Sequence, residues 1–276
     1  MQEKALGCIP LNIQHAQEVR GLSVAWLGGA GIFLMHNGTC ALIDPCLYAD
    51  ENGVTELGHH AFYEMPLRPQ DVPGNAAVLY THADYDHMGL KTALLLPETV
   101  EFYAPARCIR ALKETGIAED RLHLVRPDER FLLGDMVIAT IAADHSWQVL
   151  DPSYGEPFGP EDCVGYDITT PEAKLLFPGD TRLCPHHTAL PDVYDLLALD
   201  VSDDPYHLGH ENMALLARHF SRAKLLPNHF GTYDAPDAVP HNGSLTALKA
   251  LLGEHAARVL PDIIGNCIVF ESNGGL

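Results

Sequence analysis

The stretch "YTHADYDHMG", residues 80–89, sets two histidines and two aspartates within six positions: His82, Asp84, Asp86 and His87. Imidazole nitrogens and carboxylate oxygens are ordinary protein donors to divalent metals. The run follows the apolar "AAVLY", which reads as a buried strand that fixes the backbone from which the loop departs. In an extended segment His82 and Asp84, two apart, project to one side. Asp86 and His87 come as the chain bends toward Gly89 and can serve a second centre close by. Two centres fed by one short loop make a binuclear site, with metals typically about 3.5–4 Å apart.

Such a site needs donors from other strand ends, and three segments supply them. "MVIATIAADHSW" ends a strand with Asp144 and His145, "KLLFPGDTRL" ends one with Asp180, and "KLLPNHFGTY" ends one with His229. The Asp180 carboxylate could bridge both metals. The "HH" pairs at 59–60 and 186–187 have no such placement and read as surface residues. Two divalent ions would lower the pKa of a bridging water, giving a hydroxide able to attack a carbonyl carbon or a phosphorus atom. Asp86 is the candidate to accept the proton, because Asp180 is tied up bridging. Arg182, two residues past Asp180, is a candidate to meet a substrate phosphate or carboxylate.

The elements that must position these side chains are legible in outline. Residues 22–35, "LSVAWLGGAGIFLM", read as strand, glycine turn and strand, and "TCALI" at 39–43 as a further strand closed by the turn start Asp44–Pro45. A proline-rich loop, "PLRPQDVPGN", leads into "AAVLY"; strands recur at "VEFYA", "MVIATIAA", "CVGYDIT", with Asp167 breaking its apolar run, and "KLLF". Helices are expected over "HENMALLARHFSRA", where Met213, Leu216, Ala217 and Phe220 form an apolar stripe, and over "SLTALKALLGEHAA", opened by the N-cap Ser244. Strands followed by helices in each half suggest two sheets with helices outside.

Composition narrows the function. Aspartate and glutamate outnumber lysine and arginine by 37 to 17, a formal charge of −20, with no basic run. A nucleic-acid partner, which needs a basic face, is therefore not expected. Seven cysteines lie scattered with no C-x-x-C pair, which reads as reduced thiols and a cytoplasmic setting. No run reaches the roughly 18 apolar residues of a membrane helix, and the start lacks the basic-then-apolar order of a signal peptide.

"THADYDHMG" resembles the H-x-H-x-D-H signature of the metallo-β-lactamase superfamily. The resemblance extends through "AWLGGAGIFL…LIDPCL", "DCVGYDI…LLFPGDT" and "HENMALLARHFSRAKLLPNHFGTYD", the last similar to the branch of L-ascorbate-6-phosphate lactonase and N-acyl-phosphatidylethanolamine phospholipase D. It implies a four-layer αββα sandwich, two mixed sheets with outer helices, as a single domain over residues 1–276. It implies the ligands His82, Asp84, Asp86, His87, His145, Asp180 and His229, and a substrate-facing role for His210, just before the late helix. The chain departs at Asp84, where most members have a second histidine. A carboxylate is a harder donor and tilts the site from zinc toward manganese or iron; manganese is the metal associated with the lactonase branch. The substitution could equally mark a first centre that is weak or filled only with substrate.

The expected function is a metal-dependent hydrolase, of lactonase or phosphodiesterase type, acting with one or two ions of manganese or zinc (or iron). Its substrate would be a small anionic molecule, a sugar-acid lactone before others. Two rivals stand beside it. One is a di-iron redox enzyme, although such proteins usually carry a fused flavin domain, for which a chain ending at Leu276 leaves no room. The other is a non-catalytic binding protein on the same fold. Homo-oligomers are a weaker expectation, from the lactonase relatives.

Overall fold

The computed structural model describes residues 2–150, 153, 155–236, 241 and 243–272. A short strand β1 (Gly7–Cys8) and helix α1 (Ile13–Glu18) precede a meander of β2 (Gly21–Gly28), β3 (Gly31–His36) and β4 (Thr39–Ile43). The chain then adds β5 (Ala77–Leu79), β6 (Glu101–Ala104) and β7 (Leu122–Leu124) in parallel, with α2 (Leu90–Leu95) and α3 (Ala106–Thr115) between them. A second sheet follows: β8 (Arg130–Leu133), β9 (Met136–Ala142), β10 (Val164–Thr169), β11 (Lys174–Phe177), β12 (Leu196–Asp200) and β13 (Lys224–Asn228). Its first strands pair antiparallel and its last three pair parallel. Helices α4 (Pro185–Ala189), α5 (Gly209–His219) and α6 (Leu245–Leu252) accompany it; β14 (Ile263–Ile264) pairs with β1, and β15 (Cys267–Glu271) returns to β2. The two main sheets are therefore mixed, with orders β15-β2-β3-β4-β5-β6-β7 and β13-β12-β11-β10-β9-β8.

Two apolar clusters explain the layering. Val24, Trp26, Leu34 and Ile43 of the first sheet share one cluster with Ile138, Val164, Tyr166 and Leu175 of the second, with Met213 and Leu216 of α5, and with Phe220 just after it. The alternate residues Ala25, Leu27, Phe33 and Leu42 join a second cluster with Ala16 of α1, Ala93 of α2 and Cys108 and Leu112 of α3. Strands buried on both faces read as continuous apolar runs rather than alternating ones, which is how "LSVAWLG" and "TCALI" read. The result is helix, sheet, sheet, helix. No described helix is long and apolar enough to cross a membrane.

The expected strands and both expected helices are present with trimmed ends, α5 stopping at His219 and α6 capped by the Ser244 hydroxyl, which accepts from Ala247 N–H at 3.1 Å. Strand β12 and helix α3 were not expected. Asp167, the polar break in β10, accepts from the Tyr194 hydroxyl at 2.8 Å and pairs with Lys174 at 3.0 Å. Parallel strands end on the same edge, so β4 with β5, and β11 with β12 and β13, aim their outgoing loops together. At Gly165 a Cβ would lie 2.4 Å from the Pro178 carbonyl oxygen; only glycine lets β10 approach the turn that carries Asp180.

Candidate metal centre

Asp44, directly after β4, organises the first loop. Its Oδ1 accepts from the Thr81 N–H at 2.8 Å, and its Oδ2 from the Thr81 hydroxyl at 2.6 Å. With its proton spent on Asp44, the Thr81 oxygen can only accept from His82 Nδ1, 2.9 Å away. His87 Nδ1 donates to Asp44 Oδ2 at 2.8 Å. Both rings are thus held with Nδ1–H outward and the Nε2 lone pair facing the interior. Such a partner on the far nitrogen is the usual companion of a metal-ligating histidine. His82 Nε2 and His87 Nε2 are buried and make no hydrogen bond among the described residues.

Other strand ends repeat the arrangement. His145 Nδ1 donates to the Tyr206 carbonyl at 2.9 Å, and His207 Nδ1 to Asp200 Oδ2 at 2.8 Å. Asp180 stands among the inward nitrogens: its Oδ2 lies 3.0 Å from His87 Nε2, 3.3 Å from His207 Nε2 and 3.9 Å from His145 Nε2. His229 lies 3.6 Å from Asp180 Oδ1 through Nδ1, and 3.3 Å from Asp86 Oδ2 through Nε2. Asp84 Oδ2 is 3.2 Å from both His82 Nε2 and His145 Nε2, and accepts from Trp147 Nε1 at 2.6 Å. The backbone at two of these positions is left-handed, with φ of 46° at Asp44 and 66° at His229. The His229 N–H is fixed by the Gly29 carbonyl at 2.8 Å, in the hairpin between β2 and β3.

Donor atoms close enough to share an ion fall into overlapping groups: His82, His145 and Asp180; Asp180, Asp200, His207 and His229; Asp86, His229 and His241. Asp84 and His87 stand outside these groups, but Asp84 lies 3.2 Å from His82 and His145 and His87 lies 3.0 Å from Asp180, so the seven residues expected as ligands lie around one place. Asp44, Asp200, His207 and His241 join them without having been expected. Asp44 had been read only as a turn start, and Asp200 ends the strand that was not expected. The resemblance implies a substrate-facing role for His210, but His207, three residues earlier, is the histidine that turns toward Asp180. His210 is buried, with Nε2 donating to the Val201 carbonyl at 2.9 Å and Nδ1 3.4 Å from Asp203. Arg182 is spent on Asp144, with Nη2 2.7 Å from Oδ2 on a half-exposed surface.

Electrostatics favour a cation here. Among the described residues, every ion-pair partner within 4 Å of Asp44, Asp84, Asp86, Asp180 and Asp200 is a histidine. Burial pushes the Asp84 carboxyl up, but the approach of His145 and His82 outweighs it and holds the group at about 2. Asp86 and Asp180 likewise overcome burial and lie below the usual carboxylate range, through His229 and His87 for Asp86 and through His207, His229 and His87 for Asp180. Burial would lower His207 and His229; Asp180 and Asp200 instead raise them to about 9 and about 10. Clustered carboxylates that draw protons onto buried imidazoles are asking for positive charge, and a divalent ion supplies it while leaving the rings neutral to ligate. The oriented nitrogens, the unpartnered Nε2 atoms and the mixed oxygen–nitrogen donors together fit divalent metal ions.

Residues 39–230 match the sequence model of a family described as a Beta-lactamase superfamily domain. The chain belongs to this superfamily. Its fold is the metallo-β-lactamase fold, and an isothiocyanate hydrolase from Delia radicum gut bacteria superposes with a TM-score of 0.67 at 18% identity, over 90% of this chain and 99% of that one. Within the superfamily, a UPF0173 metal-dependent hydrolase of Pyrobaculum arsenaticum is 23% identical over 216 residues, covering 77% of this chain and 85% of that protein. An uncharacterized protein of Mycobacterium tuberculosis is 24% identical over 209 residues, which is 67% of this chain but 55% of the relative. The match thus spans about half the length of that mycobacterial relative.

Proposed function

We propose that this chain is a metal-dependent hydrolase of a small carboxylic ester, a lactone (a cyclic ester) being the form suggested by the resemblance to the lactonase branch. The observation that carries the reading is Asp180, placed between histidines whose outer nitrogens are each held by an acceptor. The similarity to the Pyrobaculum metal-dependent hydrolase supports it. His82, Asp84, His145 and Asp180 would hold one ion, and Asp86, His87, Asp180 and His229 a second. When bound, the ions supply Lewis acidity and an acidified water.

The chain's own groups orient and exclude. Asp44, Thr81, Asp200 and the Tyr206 carbonyl fix ring directions, so no reorganisation is needed on binding. Asp86, 7% exposed, offers Oδ2 as the acceptor for the proton leaving the attacking water. Asp180, facing His87, His145, His207 and His229, is engaged on all sides. With Arg182 paired to Asp144, an anionic substrate would have mainly the ions to meet it.

The test is metal content by mass spectrometry on untagged protein, followed by turnover of aryl and alkyl esters and lactones with manganese or zinc. One to two equivalents of metal and metal-dependent ester cleavage are expected. Failure to take up metal would sink the reading. Predominantly iron, with oxygen consumption and no hydrolysis, would replace it with the redox one.

A further inference from the structure

We propose that the cleft beside Asp84, walled by Trp147 and Phe158, receives an uncharged aromatic or otherwise flat apolar group of the substrate. The proposal rests on the hydrolase reading, in that this group belongs to the ester whose reacting bond lies at the metal centre. Ala83, Asp84, Tyr85, Arg107, Trp147 and Phe158 line a cavity of about 290 Å³, near the lower end of small-molecule sites.

Several polar atoms in its wall are already committed. Trp147 Nε1 donates to Asp84, and Gln148 Oε1 accepts from the Phe158 N–H at 3.2 Å. The Arg107 guanidinium donates to the carbonyls of Glu156 and Pro157, each at 2.6 Å, and lies 3.0 Å from Asp162. Three of its five N–H groups are thus engaged, and the Asp162 carboxylate already offsets its charge. The broad surfaces left toward the cavity are the rings of Trp147, Phe158 and Tyr85, set beside polar groups of Asp84 and Gln148.

Phe158 also ties the cavity to the centre. Its ring meets His82 edge-on at 5.6 Å and runs nearly parallel to His145 at 6.4 Å, with the Arg107 guanidinium 5.0 Å from it. A group held against Phe158 therefore lies beside two of the candidate ligands. Tyr85, 57% exposed, and the exposed Val149 and Leu150 just after Gln148 extend the apolar character outward. Flat rings gain in offset or edge-on contact with such walls, and an unpaired anion would lose its water there without compensation. The sugar acid expected from the family resemblance is the wrong shape and charge for this cleft.

The chain carries its own reporter. Of its two tryptophans, Trp26 is 1% exposed and stacked on Phe230, so a solute entering the cleft perturbs Trp147. The experiment titrates the full chain with benzyl alcohol, and separately with glucose 6-phosphate, following tryptophan emission with and without manganese. A saturable change with benzyl alcohol alone is expected, in both metal states. Phe158→Ala should weaken it about 5- to 10-fold, the loss of one aromatic contact, and Phe158→Leu, which keeps apolar volume, by less. No saturable response to benzyl alcohol, an equal response to glucose 6-phosphate, or unchanged affinity in a folded Phe158→Ala protein would each overturn the proposal. Phenyl acetate against methyl acetate separates the two readings. Benzyl alcohol binding without hydrolysis of either ester removes the hydrolase reading and leaves the cleft. Hydrolysis of both esters at the same rate, with no emission change, removes the cleft and leaves the hydrolase.

Discussion

Among the described residues, metal-type donors gather in two clusters, and the same residue types behave differently in each. Around Asp180, the Nδ1–H groups of His82, His87, His145 and His207 are donated to Thr81, Asp44, the Tyr206 carbonyl and Asp200. At the start of α4, Cys184, His186 and His187 also bring donor atoms within 4.8 Å of one another. There the polarity is reversed: His187 Nδ1 accepts the Cys184 N–H at 3.1 Å, closing the first helical turn. Burial, aided by neighbouring His186, lowers the His187 pKa to about 4 and keeps the ring neutral. Its proton therefore sits on Nε2, which is buried without a partner among the described residues and cannot ligate. No described carboxylate joins that group. Proximity gathers donors; the hydrogen bond on the far nitrogen decides whether a lone pair is available.

Replacing Asp180 with alanine should have the largest effect, since its carboxylate faces four imidazoles. Metal affinity measured by competition with a fluorescent chelator should fall by more than the roughly 10- to 100-fold typical of an outer partner, and ester turnover with it. Asp44→Asn touches no substrate but breaks the chain of donors through Thr81 and His87. A fall of about 10- to 100-fold in metal affinity is expected, with the circular dichroism spectrum unchanged. Retained affinity would mean that ring orientation is set elsewhere, and the contrast between the clusters would lose its cause.

Cys184→Ser bears on the other side. Metal stoichiometry by mass spectrometry should stay as in the parent protein, and loss of one equivalent would make α4 a genuine site. Smallest of all, Arg182→Ala removes a half-exposed pair with Asp144. Unfolding in urea should shift by less than about 1 kcal/mol, and ester KM should hold within about two-fold, since 0.4 kcal/mol is roughly a factor of two. A large rise in KM for an anionic ester would restore Arg182 to the substrate.

The loop His82–His87 was legible because a buried strand and four donors lie next to one another in the chain. His145, Asp180 and His229 were legible because each follows an apolar run. Asp44 was hidden by its type, since an aspartate before proline is what any turn start looks like. Asp200 and His207 pair only seven residues apart, and Asp200 ends the apolar run "LLALD" as Asp180 follows "KLLF"; this pair was as open to reading as the others, but β12 was not among the expected strands. His187 was read as surface, yet it is fully buried, because its use is to cap a helix. Helix α3 escaped although Cys108 and Leu112 are buried on one face: five of its ten residues are charged or polar, and no capping side chain marks its start. The carboxylate at 84 acquires a structural reason only in three dimensions: Trp147 reaches it from sixty-three positions downstream.

Asp44 and His229 both occupy a left-handed backbone that side chains other than glycine enter at a cost of about 1–2 kcal/mol each. Glycine at either place would relieve that strain, but at 44 it would also strip the buried Thr81 and His87 donors of their acceptor. An aspartate and a histidine stand there instead, on turns whose shape aims one carboxylate and one imidazole inward. The strain at these two turns is offset by the buried hydrogen bonds that the same side chains make, so the contacts that aim them inward also hold the turns in place.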